Sequence, residues 1–161
     1  MAFETIRGES GVDFVGTAAV DALFALNETG AITADGLAGN DTINIANSTG
    51  VVGNATVKGG AGNDTIAFTD AAGANVSRLL NSSVNGGAGD DAIGTEGTES
   101  SVVRGNEADD NFTLRGNYSN STINGNVGED SFTVTGGVTL SKSKLLGGDS
   151  NDGLMNFTGA A

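Results

Sequence analysis

Residues 57–66 read VKGGAGNDTI, and residues 84–93 read VNGGAGDDAI. Both stretches fit the frame G-x-x-[small]-x-D-x-[apolar], in which an aspartate follows a glycine by five residues. The frame occurs seven times, as Gly8–Asp13, Gly36–Asp41, Gly59–Asp64, Gly86–Asp91, Gly105–Asp110, Gly125–Asp130 and Gly147–Asp152. Successive aspartates are 28, 23, 27, 19, 20 and 22 residues apart. A period near 20 residues is the signature of a solenoid.

Apolar and polar residues alternate on both sides of each turn, which is the pattern of short strands. Two residues before the glycine stand Ile6, Ala34, Val57, Val84, Val103, Ile123 and Leu145, and two residues after the aspartate stand Val15, Ile43, Ile66, Ile93, Phe112, Phe132 and Leu154. We therefore predict an all-β fold, a parallel β-solenoid of about seven coils of 19–28 residues, with residues 1–161 in a single domain. These apolar positions would form inward ladders. At about 4.8 Å per coil, the rod would be roughly 34 Å tall.

The connections between repeats are the least regular part of the sequence. Residues 18–26 read AAVDALFAL and are compatible with a short helix over the rod or with an irregular bulge anchored by Leu23 and Phe24. Turn glycines are expected because tight turns often need positive φ. Ala108 and Ser150 replace such a glycine, so their turns should be less ideal.

Composition and charge limit the possible functions. The chain has 20 acidic and 7 basic residues, a net charge of −13, and no cysteine or histidine. The charge argues against nucleic acid and anionic membranes as partners and favours cations. The missing residue types exclude Ser-His-Asp and Cys-His catalysis, so we expect no enzymatic activity. No apolar run is long enough for membrane insertion. No Sec-type signal is visible, which predicts export by another route or intracellular assembly, as in a virus.

The turn resembles the haemolysin-type, or RTX, calcium-binding repeat G-G-x-G-x-D-x-[apolar]-x. The turns Gly59–Asp64 and Gly86–Asp91 match it at every defined turn position, whereas Gly36–Asp41 departs at Leu37. The family usually places two such turns in each coil, on opposite edges, and here only one edge carries the motif. The resemblance implies a β-roll in which calcium lies between stacked turns, held by aspartate carboxylates and backbone carbonyls.

Calcium is therefore the expected cofactor, because it accepts six to eight oxygen ligands in flexible geometry. The candidate ligands are Asp13, Asp41, Asp64, Asp91, Asp110, Asp130 and Asp152, with Asn40, Asn63 and Asp90 as additional oxygen donors. A divalent ion would also remove the repulsion between carboxylates stacked about 4.8 Å apart. The alternative is that the turns are purely structural, since aspartate at a glycine turn often only caps backbone amides.

These observations favour a non-enzymatic, calcium-binding structural subunit of an extracellular or cell-surface fibre, sheath or appendage. The repeat leaves little chain for caps, so we expect end-to-end assembly with further copies of itself. The alternatives are a phage virion fibre or decoration protein, an RTX-type carbohydrate-binding or adhesin module with polysaccharide as partner, and a secreted repeat segment that folds on calcium. Carbohydrate binding predicts an exposed aromatic or basic stripe, which a chain with Tyr118 as its only tyrosine and no tryptophan supplies poorly.

Overall fold

The computed structural model describes residues 2–7, 12–17, 19, 21–26, 31–47, 49–69, 77–149, 152 and 155–158. These residues form twenty β-strands and no helix, and the strands pair only in parallel. The fold is a parallel β-solenoid, which confirms the predicted fold class. Alternating small and β-branched residues suit such short strands, whose outer side faces solvent and whose inner side packs.

Three sheets run along the solenoid. The first sheet contains β1 (Ala2–Arg7), β3 (Asp21–Leu26), β5 (Thr42–Ala46), β8 (Thr65–Ala67), β11 (Ala92–Thr95), β14 (Asn111–Leu114), β17 (Ser131–Thr135) and β20 (Met155–Thr158). The second contains β2 (Val12–Val15), β4 (Ile32–Asp35), β7 (Ala55–Ala61), β10 (Ser83–Ala88), β13 (Val102–Glu107), β16 (Thr122–Val127) and β19 (Lys144–Gly148). The third contains β6 (Val51–Gly53), β9 (Arg78–Leu80), β12 (Thr98–Glu99), β15 (Asn117–Ser119) and β18 (Thr139–Ser141).

The solenoid has about five complete turns, not the predicted seven coils. A complete turn runs from the third sheet to the second and then the first, as in β6, β7 and β8. The third strand lies in the segment that the sequence pattern assigned to a variable connection. Within the described residues, the strands before β6 join only the first and second sheets.

The predicted inward ladders form the core. In the second sheet, Ala34, Val57, Val84, Val103 and Ile123 stand in register and are fully buried. In the first sheet, Ile43, Ile66, Ile93, Phe112 and Phe132 form the corresponding column and are at most 1% exposed. Phe112 and Phe132 stack with ring centroids 4.8 Å apart, which matches the step between adjacent parallel strands.

Two predictions for the first coil are wrong. Val15, which we expected in the core, is 65% exposed, because it lies in β2 beside Asp35 of β4 and not after a turn. Residues 21–26 form strand β3, paired with β1 and β5, and neither a helix nor a bulge. Leu23 is indeed a buried anchor, at 2% exposure, but it belongs to the core column of the first sheet.

A serine ladder closes the corner between the third and second sheets. The hydroxyl oxygens of Ser82, Ser101, Ser121 and Ser143 accept the backbone N–H of Ala55, Ser82, Ser101 and Ser121, respectively, at 3.0–3.2 Å. Each of these hydroxyls also donates to the carbonyl two residues earlier in its own coil. The inward backbone polar groups of this corner are thereby satisfied without water.

Candidate functional site

The predicted motif forms one stacked edge between the second and first sheets. Five of the seven predicted turns, from Gly36–Asp41 to Gly125–Asp130, follow a strand of the second sheet and precede a strand of the first. Asp152, which ends the turn from Gly147, is half-buried and precedes β20. The structure therefore brings Asp41, Asp64, Asp91, Asp110, Asp130 and Asp152 into one column, which we call the aspartate column.

Asp13 lies outside the aspartate column. It is inside strand β2, paired in register with Thr33, so the turn predicted from Gly8 does not place it beside the other aspartates. The position in register with the column belongs to Asp21, because the next residue, Ala22, pairs with Thr42, which follows Asp41. The frame also fits Gly16 and Asp21, which are five residues apart. This turn was missed in the sequence pattern.

The second and fourth positions of each turn adopt the left-handed backbone conformation. At the second position φ is 72° for Leu37, 122° for Gly60, 130° for Gly87, 96° for Asn106, 82° for Asn126 and 147° for Gly148. At the fourth it is 119° for Gly39, 126° for Gly62, 119° for Gly89, 77° for Ala108 and 142° for Gly128. Ala108 thus occupies a conformation that residues with a Cβ rarely adopt, as expected for a less ideal turn. Ser150 lies outside the described residues.

Glycine is required at the first position of the turn for a different physical reason. Gly59 and Gly86 do not have positive φ. Instead, a Cβ built on Gly59 would collide with Oδ2 of Asp64, and one built on Gly86 would collide with Oδ2 of Asp91. The same collision arises at Gly36, Gly105, Gly125 and Gly147 with the aspartate of their own turn. The aspartate carboxylate therefore occupies the space beside the glycine Cα, and this close packing explains the five-residue spacing.

The carboxylates point into the protein and link neighbouring coils. Oδ1 of Asp64, Asp91, Asp110 and Asp130 accepts the backbone N–H of the preceding aspartate in the column, at 2.7, 2.8, 2.9 and 2.9 Å, respectively. These four side chains are at most 1% exposed. Their other oxygen, Oδ2, is buried and has no hydrogen-bond partner among the described residues. Each of these four coils thus contains a buried carboxylate with one hydrogen-bonded oxygen and one oxygen without a hydrogen-bond partner.

Burial disfavours the charged form of these carboxylates. Desolvation raises the pKa of Asp91 and of Asp110 to about 7, and repulsion from neighbouring aspartates adds to it, while the hydrogen bond from the preceding amide opposes it. The pKa of Asp64 and that of Asp130 are raised for the same leading reason. A bound proton or a bound cation would each remove the cost of the buried charge.

A second row of polar side chains lies on the outer surface of the same edge. It consists of the residue before each column aspartate: Asn40, Asn63, Asp90, Asp109 and Glu129, all exposed. A side-chain oxygen of Asn40, Asn63, Asp90 and Asp109 accepts the backbone N–H of the next member of the row, at 3.0, 3.2, 3.3 and 2.7 Å, respectively. The predicted donors Asn40, Asn63 and Asp90 therefore form an exposed ladder, separate from the buried aspartate column.

The aspartate column offers oxygen atoms of the type that calcium prefers. The unsatisfied Oδ2 of Asp64 lies beside the same Cα as the carbonyl oxygen of Gly86 in the next coil, since both atoms crowd the Cβ position of Gly59. In the part of the chain that the structure describes, however, no three acidic side chains converge into a group that could hold a metal. One carboxylate oxygen per coil would need several backbone carbonyls to complete a calcium shell.

Comparison of the chain with protein-family models, with curated proteins and with solved structures finds no match. The solenoid fold rests on the structure itself, and the resemblance to RTX repeats stays a prediction. Within the described ranges, no helix is long and apolar enough to cross a membrane.

Proposed function

We propose that the protein is a non-enzymatic structural subunit, a β-solenoid rod that assembles end to end into a fibre or sheath. The observation that carries this proposal is the stack of parallel coils itself: in all three sheets, each described strand pairs with the corresponding strand of the next coil along the rod. Coils that pair edge to edge in this way can accept a further coil from another molecule, because an edge strand carries unpaired backbone groups.

The distribution of buried polar groups supports a scaffold. The aspartate and serine side chains are spread along the rod, one per coil, and each hydrogen-bonds to the neighbouring coil. Such ladders stabilise stacked coils, because each coil interacts mainly with its neighbours. An active site would instead bring several reactive groups to one place.

The proposal includes calcium between the turns, with Oδ2 of Asp64, Asp91, Asp110 and Asp130 and the turn carbonyls as ligands. It also includes a location outside the cell or on its surface, or in a virion as the alternative assembly. The carbohydrate-binding alternative has less support, because the aromatic side chains that the structure describes, Phe68, Phe112, Tyr118 and Phe132, are all buried.

Electron microscopy and light scattering of the purified protein test the assembly. We expect filaments whose axial repeat equals the height of one molecule, and a scattering mass that rises with protein concentration. A strictly monomeric protein at high concentration, with calcium present, would contradict the proposed function.

Thermal melting tests the calcium component separately. A ligand at 100 times its Kd stabilises the folded state by about 2.7 kcal/mol, so calcium should raise Tm relative to chelator. We expect Asp64→Ala and Asp91→Ala each to reduce this difference. Glu99→Gln, in the third sheet, is the control and should leave the difference unchanged. Identical melts in calcium and in chelator would remove the ion from the proposal and leave the structural role intact.

A further inference from the structure

Asparagine occurs mainly in one short motif of this chain. Of the 17 asparagines, 11 are followed two residues later by serine or threonine, and no proline intervenes. Serine and threonine make up only 30 of the 161 residues, so chance pairing would give this motif to a small minority of the asparagines. Asn-x-Ser/Thr is the acceptor motif of N-linked glycosylation, and it can serve as one where the asparagine lies at the surface.

The structure separates the asparagines of the motif from the others. Among the motif asparagines whose exposure the structure describes, Asn47 is buried and all the others are exposed: Asn40, Asn54, Asn63, Asn81, Asn111, Asn117 and Asn120. The described asparagines outside the motif are half-buried and bonded to other side chains: Asn44, Asn85, Asn106, Asn124 and Asn126. The motif therefore coincides with the surface of the rod.

Three of the exposed motifs lie at one corner of the rod, between the third and second sheets. We call Asn54, Asn81 and Asn120 the corner asparagines. They directly follow the third-sheet strands β6, β9 and β15. Their φ angles are 53°, 50° and 49°, in the left-handed region that asparagine enters more readily than most residues. Each one is thus an exposed turn residue on the flank of the solenoid.

The fold uses neither polar group of these three motifs. The corner asparagines make no side-chain hydrogen bond within the described ranges, and the same is true of the hydroxyls two residues later, on Thr56, Ser83 and Thr122. The serine hydroxyls of the same corner differ, because each bonds to two backbone groups. Both the amide and the hydroxyl of each corner motif are therefore available to another molecule.

Two other corner positions provide an internal comparison. Ser100 and Lys142 have the same backbone conformation, with φ of 52° each. The residues two places after them are Val102 and Lys144, so these coils lack the hydroxyl as well as the asparagine. The turn conformation is common to all five corners and does not require a hydroxyl two residues later. It therefore does not explain why asparagine and hydroxyl occur together in three of them.

The remaining exposed motifs are less suited to carry a sugar. Oδ1 of Asn40 accepts the backbone N–H of Asn63, and Oδ1 of Asn117 accepts the hydroxyl of Thr139 at 2.7 Å. Asn111 is the first residue of strand β14 and does not lie in a turn. Since acceptor asparagines lie in surface loops, the corner is the best site.

We propose that the corner asparagines are acceptors for N-linked glycosylation. The donor is a sugar activated as a glycosyl diphosphate, carried on a nucleotide or a lipid. Nδ2 of the asparagine forms a bond to C1 of the sugar, the bond between C1 and the diphosphate oxygen breaks, and the diphosphate leaves with the electron pair while Nδ2 loses a proton. The sugars lie on the flank of the rod and make it bulky and soluble. This modification does not depend on end-to-end assembly.

Peptide mass spectrometry of the protein isolated from the cells that produce it tests the modification. We expect the peptides that contain Asn54, Asn81 and Asn120 to carry a sugar mass, located on the asparagine by fragmentation. Asn85 is the internal control, because it is half-buried and lacks the hydroxyl, and it should be unmodified. If all three corner asparagines are unmodified, the proposal is wrong, whereas the assembly of the rod is measured independently.

Substitutions made in the same cells distinguish the motif from the fold. Asn120→Asp suits the left-handed turn and should remove one sugar while the other two stay. Thr122→Val, which removes the hydroxyl and keeps the shape, should remove the same sugar, and Thr122→Ser should keep it. All three variants should melt like the original protein stripped of sugar, since neither side chain bonds within the described ranges. A Thr122→Val protein that still carries sugar on Asn120 would show that the motif does not direct the modification and would overturn the proposal.

Discussion

Gly86→Ala should destabilise the protein although the backbone at this position suits alanine. Where an alanine fits, replacing glycine usually stabilises by about 0.4–1 kcal/mol, because the unfolded chain loses conformational freedom. At Gly86, however, the new Cβ would collide with Oδ2 of Asp91 and stand 2.9 Å from the carbonyl oxygen of Gly105. Both neighbours are held by contacts with adjacent coils and cannot move freely. Overpacking of this kind costs about 1–3 kcal/mol.

Gly94→Ala is the matched control. Gly94 lies in β11 without positive φ, and a Cβ there would meet nothing within 4 Å. We expect this variant to be as stable as the unmodified protein or more stable by up to about 1 kcal/mol. Thermal and urea unfolding would measure both variants. For a protein of this length, about 1 kcal/mol changes Tm by roughly 2–4 °C, so the two variants should separate clearly.

The carboxylate that causes the collision can be removed in a double-mutant cycle. Asp91→Ala alone should destabilise by about 1–3 kcal/mol, because the buried amide of Asp64 loses its acceptor. In that background, Gly86→Ala should cost less, and the difference is the coupling between the two positions. If Gly86→Ala melts at or above the temperature of Gly94→Ala, the packing explanation of the first turn glycine is refuted.

Two further predictions concern the buried ladders. In chelator, the free energy of unfolding should fall as pH rises from about 4 through about 7. The pKa of Asp91 and that of Asp110 are 3.8 before folding and about 7 afterwards. The folded state therefore binds more protons than the unfolded chain over this interval and loses that stabilisation as the protons dissociate. Urea titrations at several pH values would measure this, and stability that rises over that interval would contradict it. Ser101→Ala should cost about 1–3 kcal/mol, since the hydroxyl bonds to two buried backbone groups, whereas Ser83→Ala, on the outer side of β10, should change stability by less than about 0.5 kcal/mol. Equal unfolding free energies for the two serine variants would show that the ladder does not stabilise the fold.

The turn edge and the core ladders could be predicted because the sequence encodes them locally. The glycine and aspartate of a turn are in contact, so their five-residue spacing is fixed whatever the length of the rest of the coil. The columns of Val57 and Ile66 follow from alternation next to that turn. The cause assigned to the first glycine was nevertheless wrong, since the frame alone does not distinguish positive φ from a carboxylate occupying the space of a Cβ.

The first coil was misassigned because two glycine–aspartate pairs satisfy the same spacing. Gly8–Asp13 and Gly16–Asp21 both fit, and only strand pairing in three dimensions places Asp21 in register with the column. The interval to Asp41 was the available signal. It is 20 residues from Asp21, close to the intervals later in the chain, but 28 from Asp13, the longest of the seven-turn assignment.

The third sheet could not be predicted from alternation. Its strands are only two or three residues long, too short to show a period, and inward positions include the polar Thr98 as well as Leu79. Thr95 and Tyr118 were not predicted as partners either, because their buried hydroxyls meet at 2.7 Å across a sequence separation of 23 residues. Such contacts depend on how coils of unequal length close around the core.

The motif itself follows from the packing of the turn, with or without an ion. Left-handed second and fourth positions and the space beside the first glycine would select G-G-x-G-x-D even if the aspartates only bonded amides. The buried charge still has to be neutralised, either by a bound proton or by a bound cation. These two alternatives make the stability of the folded state depend on pH in opposite directions. If bound protons neutralise the carboxylates, the free energy of unfolding falls as pH rises, because the folded state then loses those protons. Calcium binding strengthens as the ligands lose their protons. The stabilisation that calcium adds should therefore grow between pH 5 and pH 8 if the column is a metal site, and should stay near zero throughout if the protons alone neutralise it.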